Sequence, residues 1–165
     1  MLHPAKLSVN QLLDHCRVQR TRRSGPGGQH RNKVETAIVV EHLPTGIRGE
    51  ASERRSQLQN RQQAIHRLRL KLALKVRCPL SESMGPLWKS RNRGGRLSIN
   101  SAHDDFPTML ADALDVLCAH EFSLQDAAGY LGINTSQLVK LLKLHREALV
   151  LVNSERQARG KSILH

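Results

Sequence analysis

The chain has 165 residues, a formal net charge of +12 and a pI of about 10.6. That length allows a buried core in one domain or in a domain with an appendage, and the basic excess favours a nucleic-acid partner over a membrane. No segment approaches the ~20 apolar residues of a membrane helix, which argues against a membrane-spanning protein. Aromatic residues make up only 2%, so we expect contacts to phosphates and not base stacking.

The charge is unevenly distributed along the chain. Residues 1–96 contain 20 Lys/Arg and 6 Asp/Glu, whereas residues 97–165 contain 6 and 8. We therefore expect the nucleic-acid surface in the first part of the chain.

The cysteines and histidines show no metal-binding pattern. Cys16, Cys78 and Cys118 are far apart, and the nine histidines are scattered. We predict reduced thiols, no metal and no cofactor. The N-terminus has no apolar run of signal-peptide length, so we predict a cytoplasmic protein.

The N-terminal segment predicts a short helix and a weak strand. Ser8 is a candidate N-cap for a helix that runs to about His15. Residues 17–22 alternate, with Val18 as the only large apolar side chain.

A glycine-rich string follows, flanked on both sides by cations. It reads Arg23-Ser24-Gly25-Pro26-Gly27-Gly28-Gln29-His30-Arg31-Asn32-Lys33. Three glycines in four residues allow backbone shapes that other residues cannot adopt, and the proline stiffens one point. A bare backbone in positive potential suits close approach to a phosphodiester or to a developing oxyanion.

Two strands and a long helix are predicted next. Ala37 to Glu41 is a β-branched run, residues 43–46 suit a hairpin turn, and a second strand should cover 47–51. A helix should open at Ser52 or Glu53 and end near Arg77, before Pro79. Its predicted apolar stripe is Leu58, Ile65, Leu68, Leu72 and Val76.

The string and the segments after it resemble the catalytic domain of class I peptide chain release factors and of codon-independent peptidyl-tRNA hydrolases. The resemblance runs from about Cys16 to Val76 and includes residues 37–47, 53–57 and 60–61. It implies hydrolysis of the peptidyl-tRNA ester in the peptidyl-transferase centre of the large ribosomal subunit. The partners would then be rRNA and peptidyl-tRNA.

The resemblance also implies roles for individual residues. The catalytic residues would be Gly27, Gly28 and Gln29, with the backbone N–H of Gln29 directed at the tetrahedral intermediate. Loop shape would come from Ser24, Gly25, Pro26 and Asn32. RNA contacts would come from Arg22, Arg23, Arg31, Lys33, Arg54, Arg55 and Arg61. Outside the resemblance, the basic run from Lys89 to Arg96 predicts either a solvated flexible connector or further RNA-phosphate contacts, through Lys89, Arg91 and Arg93.

Two departures from the family bear on how the protein enters the ribosome. About 15 residues precede the matched region, so we expect no domain that reads stop codons. The tail after Ser154 carries Arg156, Arg159 and Lys161 but also Glu155, and it is shorter than the basic tails of rescue hydrolases. We therefore expect codon-independent action on stalled ribosomes with a different mode of entry.

The second part of the chain changes character. Residues 79–97 are predicted as a basic Gly/Ser/Pro linker in which Trp88 anchors on a core surface. Helices are predicted over 107–120, 124–131 and 136–144, with a further helix from Ser154. The spacing of Gly132, Ile133 and Leu138 is typical of a helix-turn-helix.

We therefore predict an α+β fold with a release-factor-like domain over 1–78, a linker over 79–97 and an α-helical extension over 98–165. The first domain should contain a short mixed or antiparallel sheet packed by a long helix. Two other functions stay open: a non-catalytic rRNA- or tRNA-binding module, and a DNA-binding regulator built on the C-terminal helices. Those helices could also bind a partner protein.

Overall fold

The computed structural model describes residues 2–21, 37–80 and 85–165. The chain divides into two compact units. Residues 4–72 form the first unit, and residues 73–165 form the second together with the first three residues of the chain. Within the described ranges, no helix is long and apolar enough to span a bilayer.

The first unit is a three-stranded antiparallel sheet with one long helix. Its strand order is β1-β2-β3, with Val40 in register with Val18 on one side and Gly49 on the other. The elements are a short 3-10 helix (Pro4–Lys6), α1 (Val9–Leu13), β1 (Cys16–Thr21), β2 (Ala37–His42), β3 (Ile47–Ala51) and α2 (Gln57–Lys75), of which residues 73–75 belong to the second unit. The α+β fold class is confirmed, and the sheet of this unit is entirely antiparallel.

Strand β3 packs unusually close to α2 because it carries a glycine. A Cβ on Gly49 would lie 2.1 Å from the carbonyl oxygen of Ala64 and 2.5 Å from the amide nitrogen of Leu68. Ile65, Leu68 and Leu72 are buried, as the sequence predicts. The helix therefore lies directly on the backbone of the sheet, and its apolar stripe forms the core of the unit.

The start of α2 differs from the prediction. The helix begins at Gln57, and Leu58 is 64% exposed, so its assignment to the apolar stripe was wrong. Asn60 is the fully buried residue of this turn. Its side chain hydrogen bonds to the backbone of Arg54, which holds residues 52–56 as a loop and delays the helix start.

The second unit is mainly helical. Its elements are α3 (Pro86–Arg91), β4 (Asn92–Arg93), β5 (Arg96–Leu97), α4 (Phe106–Ala119), α5 (Leu124–Leu131), α6 (Thr135–Lys143) and α7 (Arg146–Ala158). The helix predicted from Ser154 in fact begins at Arg146. Ala148, Val152 and Arg156 form its buried face at intervals of four. A buried arginine on that face breaks the apolar pattern, so the sequence did not reveal where the helix begins.

The segment predicted as a linker contains ordered elements. Trp88 is 1% exposed and donates from Nε1 to the carbonyl oxygen of Leu131 at 2.9 Å. The strands β4 and β5 form a hairpin whose turn residues, Gly94 and Gly95, have φ of 59° and 81°. A two-residue hairpin turn of this kind requires positive φ at both positions, which glycine adopts readily. The same glycines were the reason for predicting a linker at this place.

Helices α5 and α6 follow one another across a short turn over residues 132–134. Gly132 ends α5 in the left-handed conformation, with φ of 66°, and the Asn134 side chain caps α6 by accepting the N–H of Gln137. The hairpin is bonded to this turn. Asn92 donates to the carbonyl oxygen of Gly132 at 2.9 Å, and the Leu97 N–H donates to the Gln137 side chain at 3.2 Å.

Candidate functional site

The predicted catalytic string lies outside the described residues. This holds for Gly27, Gly28 and Gln29, for Ser24, Gly25, Pro26 and Asn32, and for Arg22, Arg23, Arg31 and Lys33. The chain enters and leaves the stretch 22–36 at Thr21 and Ala37. These two residues are register partners across β1 and β2, so both ends of the stretch are fixed at one edge of the sheet.

An open groove of about 450 Å³ lies at that edge. Thr21 and Ala37 line it, together with the segment after β3 and the middle of α2. Its charged wall contains the cations Arg67 and Lys71 and the carboxylates of Glu50 and Glu53. The polar surface next to Thr21 and Ala37 is therefore built from groups that can hold sugar hydroxyls or phosphates.

The two cations of the groove are held by backbone carbonyls of β3. Arg67 Nη1 donates to the carbonyl oxygen of Glu50 at 2.8 Å, and Lys71 Nζ donates to that of Arg48 at 2.9 Å. Arg67 Nη2 also pairs with Glu53 Oε1. That hydrogen bond, helped by bonds from the backbone of Glu53 and Ser52, lowers the pKa of Glu53 to about 2.

Two side chains in the described part of the first unit that could act in acid–base or nucleophilic chemistry, Cys16 and His42, are restrained. Burial raises the pKa of the Cys16 thiol to about 11, so it is not a ready nucleophile at neutral pH. His42 is 4% exposed, with Nδ1 2.8 Å from Thr45 Oγ1. Burial, and then the charge of His15, lower its pKa. His42 therefore serves to hold the hairpin turn.

The remaining predicted RNA-binding residues fall into two groups, one in each unit. Arg54, Arg55 and Arg61 are exposed on the loop before α2 and on its first turns. The second group is Lys89 and Arg91 on α3 and Arg93 on β4. Lys89 and Arg93 are exposed, whereas Arg91 is engaged within the fold. It donates to Asp105 Oδ2 from Nη2 at 2.6 Å and from Nε at 3.2 Å.

Two features of the site were missed from the sequence. Gly49 was not singled out, although a glycine inside a strand signals close backbone approach. The basic run of the predicted linker was recognised up to Arg96, but not the hairpin that sets Arg96 opposite Arg93, where both are exposed. The pattern arginine, two glycines, arginine was the available signal for this hairpin.

The comparisons with known proteins agree on one family. The RF-1 domain matches residues 6–92. Peptide chain release factor 2 of Lactiplantibacillus plantarum is 55% identical over 66 residues, which is 40% of this chain and 18% of that protein. The mitochondrial peptide chain release factor 1-like protein of Rattus norvegicus is 48% identical over 67 residues, 41% of this chain and 17% of that protein.

The chloroplastic peptide chain release factor PrfB1 of Arabidopsis thaliana is 52% identical over 52 residues, 32% of this chain and 11% of that protein. The chain thus spans less than a fifth of the length of these relatives. Because the RF-1 domain match covers more than half of the 165 residues, the chain belongs to the RF-1 domain family.

Proposed function

We propose that the chain catalyses hydrolysis of the ester bond between a nascent peptide and the terminal adenosine of tRNA, on the ribosome. The observation that carries this proposal is the sequence Gly27-Gly28-Gln29 within a region that matches the RF-1 domain. The matched relatives are named as peptide chain release factors. We infer ester hydrolysis by this chain from that family relationship.

The mechanism needs few side chains. Gly27 and Gly28 allow a backbone shape that a Cβ would block, and the backbone N–H of Gln29 then donates to the developing oxyanion. A preorganised donor of this kind contributes about 10²- to 10³-fold in rate. The Gln29 side chain shapes the pocket that admits water as the nucleophile. The restrained states of Cys16 and His42 agree with a scheme without a protein general base in the described part of the unit.

Cations on the same unit would hold the catalytic string against rRNA or tRNA. Arg54, Arg55 and Arg61 are exposed and carry no counter-charge among the ion pairs of the described residues. Each phosphate contact adds affinity without reading sequence. Arg22, Arg23, Arg31 and Lys33 flank the catalytic residues in the chain and would act in the same way.

We further propose that hydrolysis by this 165-residue chain does not require a stop codon. The matched segments span 11–19% of the length of the release-factor relatives, and the residues beyond the RF-1 match fold mainly as helices. The substrate class would be ribosomes that are stalled with peptidyl-tRNA in place.

The second unit would supply the contacts that position the enzyme. Lys89, Arg93 and Arg96 are exposed on α3 and the hairpin, beside the turn between α5 and α6. Leu164 is held against α7, since Asn153 accepts the Leu164 N–H at 2.7 Å and donates to its carbonyl oxygen at 3.1 Å. We assign positioning to the hairpin and the helices.

The alternatives predict different ligands. A non-catalytic module would bind rRNA or tRNA without releasing peptide, and a helix-turn-helix regulator would prefer duplex DNA. The excess of acidic residues in 97–165 argues against the regulator. A partner protein on the C-terminal helices would find exposed apolar side chains there, such as Val150, which is 59% exposed.

The location of the protein stays a prediction. We predict the cytoplasm, but the matched relatives include proteins named as mitochondrial and chloroplastic.

Release of labelled peptide from purified ribosomes tests the proposal. The complexes would carry peptidyl-tRNA and either a stop codon, a sense codon or no codon in the A site. We expect release from the complexes without a stop codon at a rate at least equal to that with one. Release that occurs only with a stop codon would contradict codon independence. Ribosome binding without release from any complex would favour the non-catalytic module.

A further inference from the structure

Three potential metal ligands from distant parts of the sequence meet in the second unit. They are His3, Cys78 and Asp115, and one donor atom from each lies within 4.8 Å of the other two. His3 is at the start of the chain, Cys78 follows α2, and Asp115 is on α4. Their sequence spacing gives no metal motif, so the sequence predicted no site. We propose that these three residues bind a Zn²⁺ ion.

The carboxylate of Asp115 is the strongest indication. Asp115 is 3% exposed, and its Oδ2 is buried without a hydrogen-bond partner among the described residues. Its Oδ1 is occupied, because it accepts the Cys78 N–H at 3.1 Å and lies 3.4 Å from Arg77 Nη1. A buried carboxylate oxygen without a partner is energetically costly. A cation at Oδ2 would remove this cost while Oδ1 keeps its present bonds.

His3 has the support that metal-binding histidines usually have. It is 1% exposed, and its Nε2 lies 3.2 Å from the carbonyl oxygen of Val76. Donation from Nε2–H to that carbonyl fixes the tautomer that carries a lone pair on Nδ1. A second ring nitrogen bonded to a backbone carbonyl orients a ligating imidazole and increases its basicity.

The donor set and its charge suit zinc better than magnesium or calcium. Imidazole nitrogen, thiolate sulfur and carboxylate oxygen are all zinc ligands, whereas the harder cations take oxygen. A thiolate at Cys78 and the carboxylate of Asp115 together neutralise Zn²⁺. Three protein ligands leave the fourth tetrahedral position for water, and Cys78 is partly exposed. Ligand atoms around tetrahedral zinc are about 3.3 to 3.8 Å apart, so small side-chain rotations would complete the site.

Zinc titration of the full chain tests this site without reference to peptide release. The protein would be stripped with a chelator and titrated with ZnCl₂ against a chromophoric competitor. CoCl₂ would then be added to a second sample, to detect a thiolate-to-cobalt charge-transfer band. We expect one equivalent of Zn²⁺ per chain, the cobalt band, and a higher melting temperature with zinc than after stripping.

The variants separate this site from adventitious binding. Asp115→Asn and Cys78→Ser should each weaken zinc binding by at least about 10-fold, whereas Cys118→Ser and His103→Gln should bind as the wild type does. Cys118 and His103 are exposed and lie outside the cluster. Should Asp115→Asn fail to fold by circular dichroism, the partly exposed Cys78→Ser variant decides the question. Absence of stoichiometric binding by the wild type, or unchanged binding by Cys78→Ser, would overturn the proposal.

Discussion

The Asn60 side chain binds the backbone of Arg54 in both directions. Its Nδ2 donates to the Arg54 carbonyl oxygen at 2.8 Å, and its Oδ1 accepts the Arg54 N–H at 3.0 Å. Asn60 itself is fully buried. This pair of bonds fixes the loop that presents Arg54 and Arg55, so one buried amide on α2 positions two of the proposed RNA-binding cations.

Asn60→Ala should destabilise the first unit and disorder that loop. Removing the amide leaves two backbone groups of Arg54 without their partner, and we expect a loss of about 2 kcal/mol in the free energy of unfolding. Urea denaturation would measure the loss. The exposed Gln63→Ala variant is the control on the same helix and should change the stability by less than about 0.5 kcal/mol. Equal stabilities of the two variants would contradict the role given to Asn60.

Gly49→Ala tests the close approach of β3 to α2. The added methyl group would lie 2.1 Å from the Ala64 carbonyl oxygen, so strand and helix must separate, and we expect a destabilisation of about 2–3 kcal/mol. Gly85→Ala is the matched control, because a Cβ there has no atom of the described residues within 4 Å. Thermal unfolding of both variants measures the difference. If the two variants have equal melting temperatures, β3 does not pack as closely on α2 as described, and the account is contradicted.

The bond between Arg67 and Glu53 should contribute stability that depends on pH. The pKa of Glu53 falls from its ordinary 4.5 to about 2 in the folded chain, so the unfolded state binds the proton first as pH falls. The contribution is therefore complete above about pH 4.5 and is lost as pH decreases toward 2. Unfolding free energies of wild type and Glu53→Gln should converge over this window. A difference that stays constant down to pH 2 would contradict the assignment.

The hairpin cations should add to the salt dependence of RNA binding. If Arg93 contacts one phosphate, Arg93→Ala reduces the slope of log affinity against log salt by roughly 0.7 to 0.9. Ribosome or tRNA affinity measured at several KCl concentrations gives this slope. Arg159→Ala is the control, since Arg159 is paired with Glu155 at 2.5 Å and stacks on Phe122. Equal reductions in both variants would show that the effect is not specific to the hairpin.

Local patterns predicted most of the secondary structure. The β-branched run of β2, the Ser8 cap, the strand 47–51 and the helix 124–131 depend on neighbouring residues, so the sequence was sufficient to identify them. The errors arose where a distant or polar partner decides the outcome. Asn60 keeps residues 52–56 out of α2, and the buried Arg156 is held by the Phe122 carbonyl oxygen at 2.6 Å.

The functional site was likewise predicted only in part from the sequence. The sequence predicted a catalytic string through its resemblance to release factors. No pattern indicated the groove at the edge formed by Thr21 and Ala37, because that groove needs three strands and a helix. The same limit applies to His3, Cys78 and Asp115, whose positions in the chain carry no motif. Arg91 was predicted to contact RNA because it lies in a basic run. That run gave no indication of the ion pair that Arg91 forms with Asp105.

The most direct measurement of the central claim is the single-turnover rate of peptide release by Gly28→Ala on ribosomes saturated with the protein. The variant should bind ribosomes with unchanged affinity and release peptide at least about 100-fold more slowly than the wild type, because the added Cβ displaces the Gln29 N–H from the oxyanion. Release by Gly28→Ala at the wild-type rate, with equal ribosome occupancy, would contradict catalysis by this backbone.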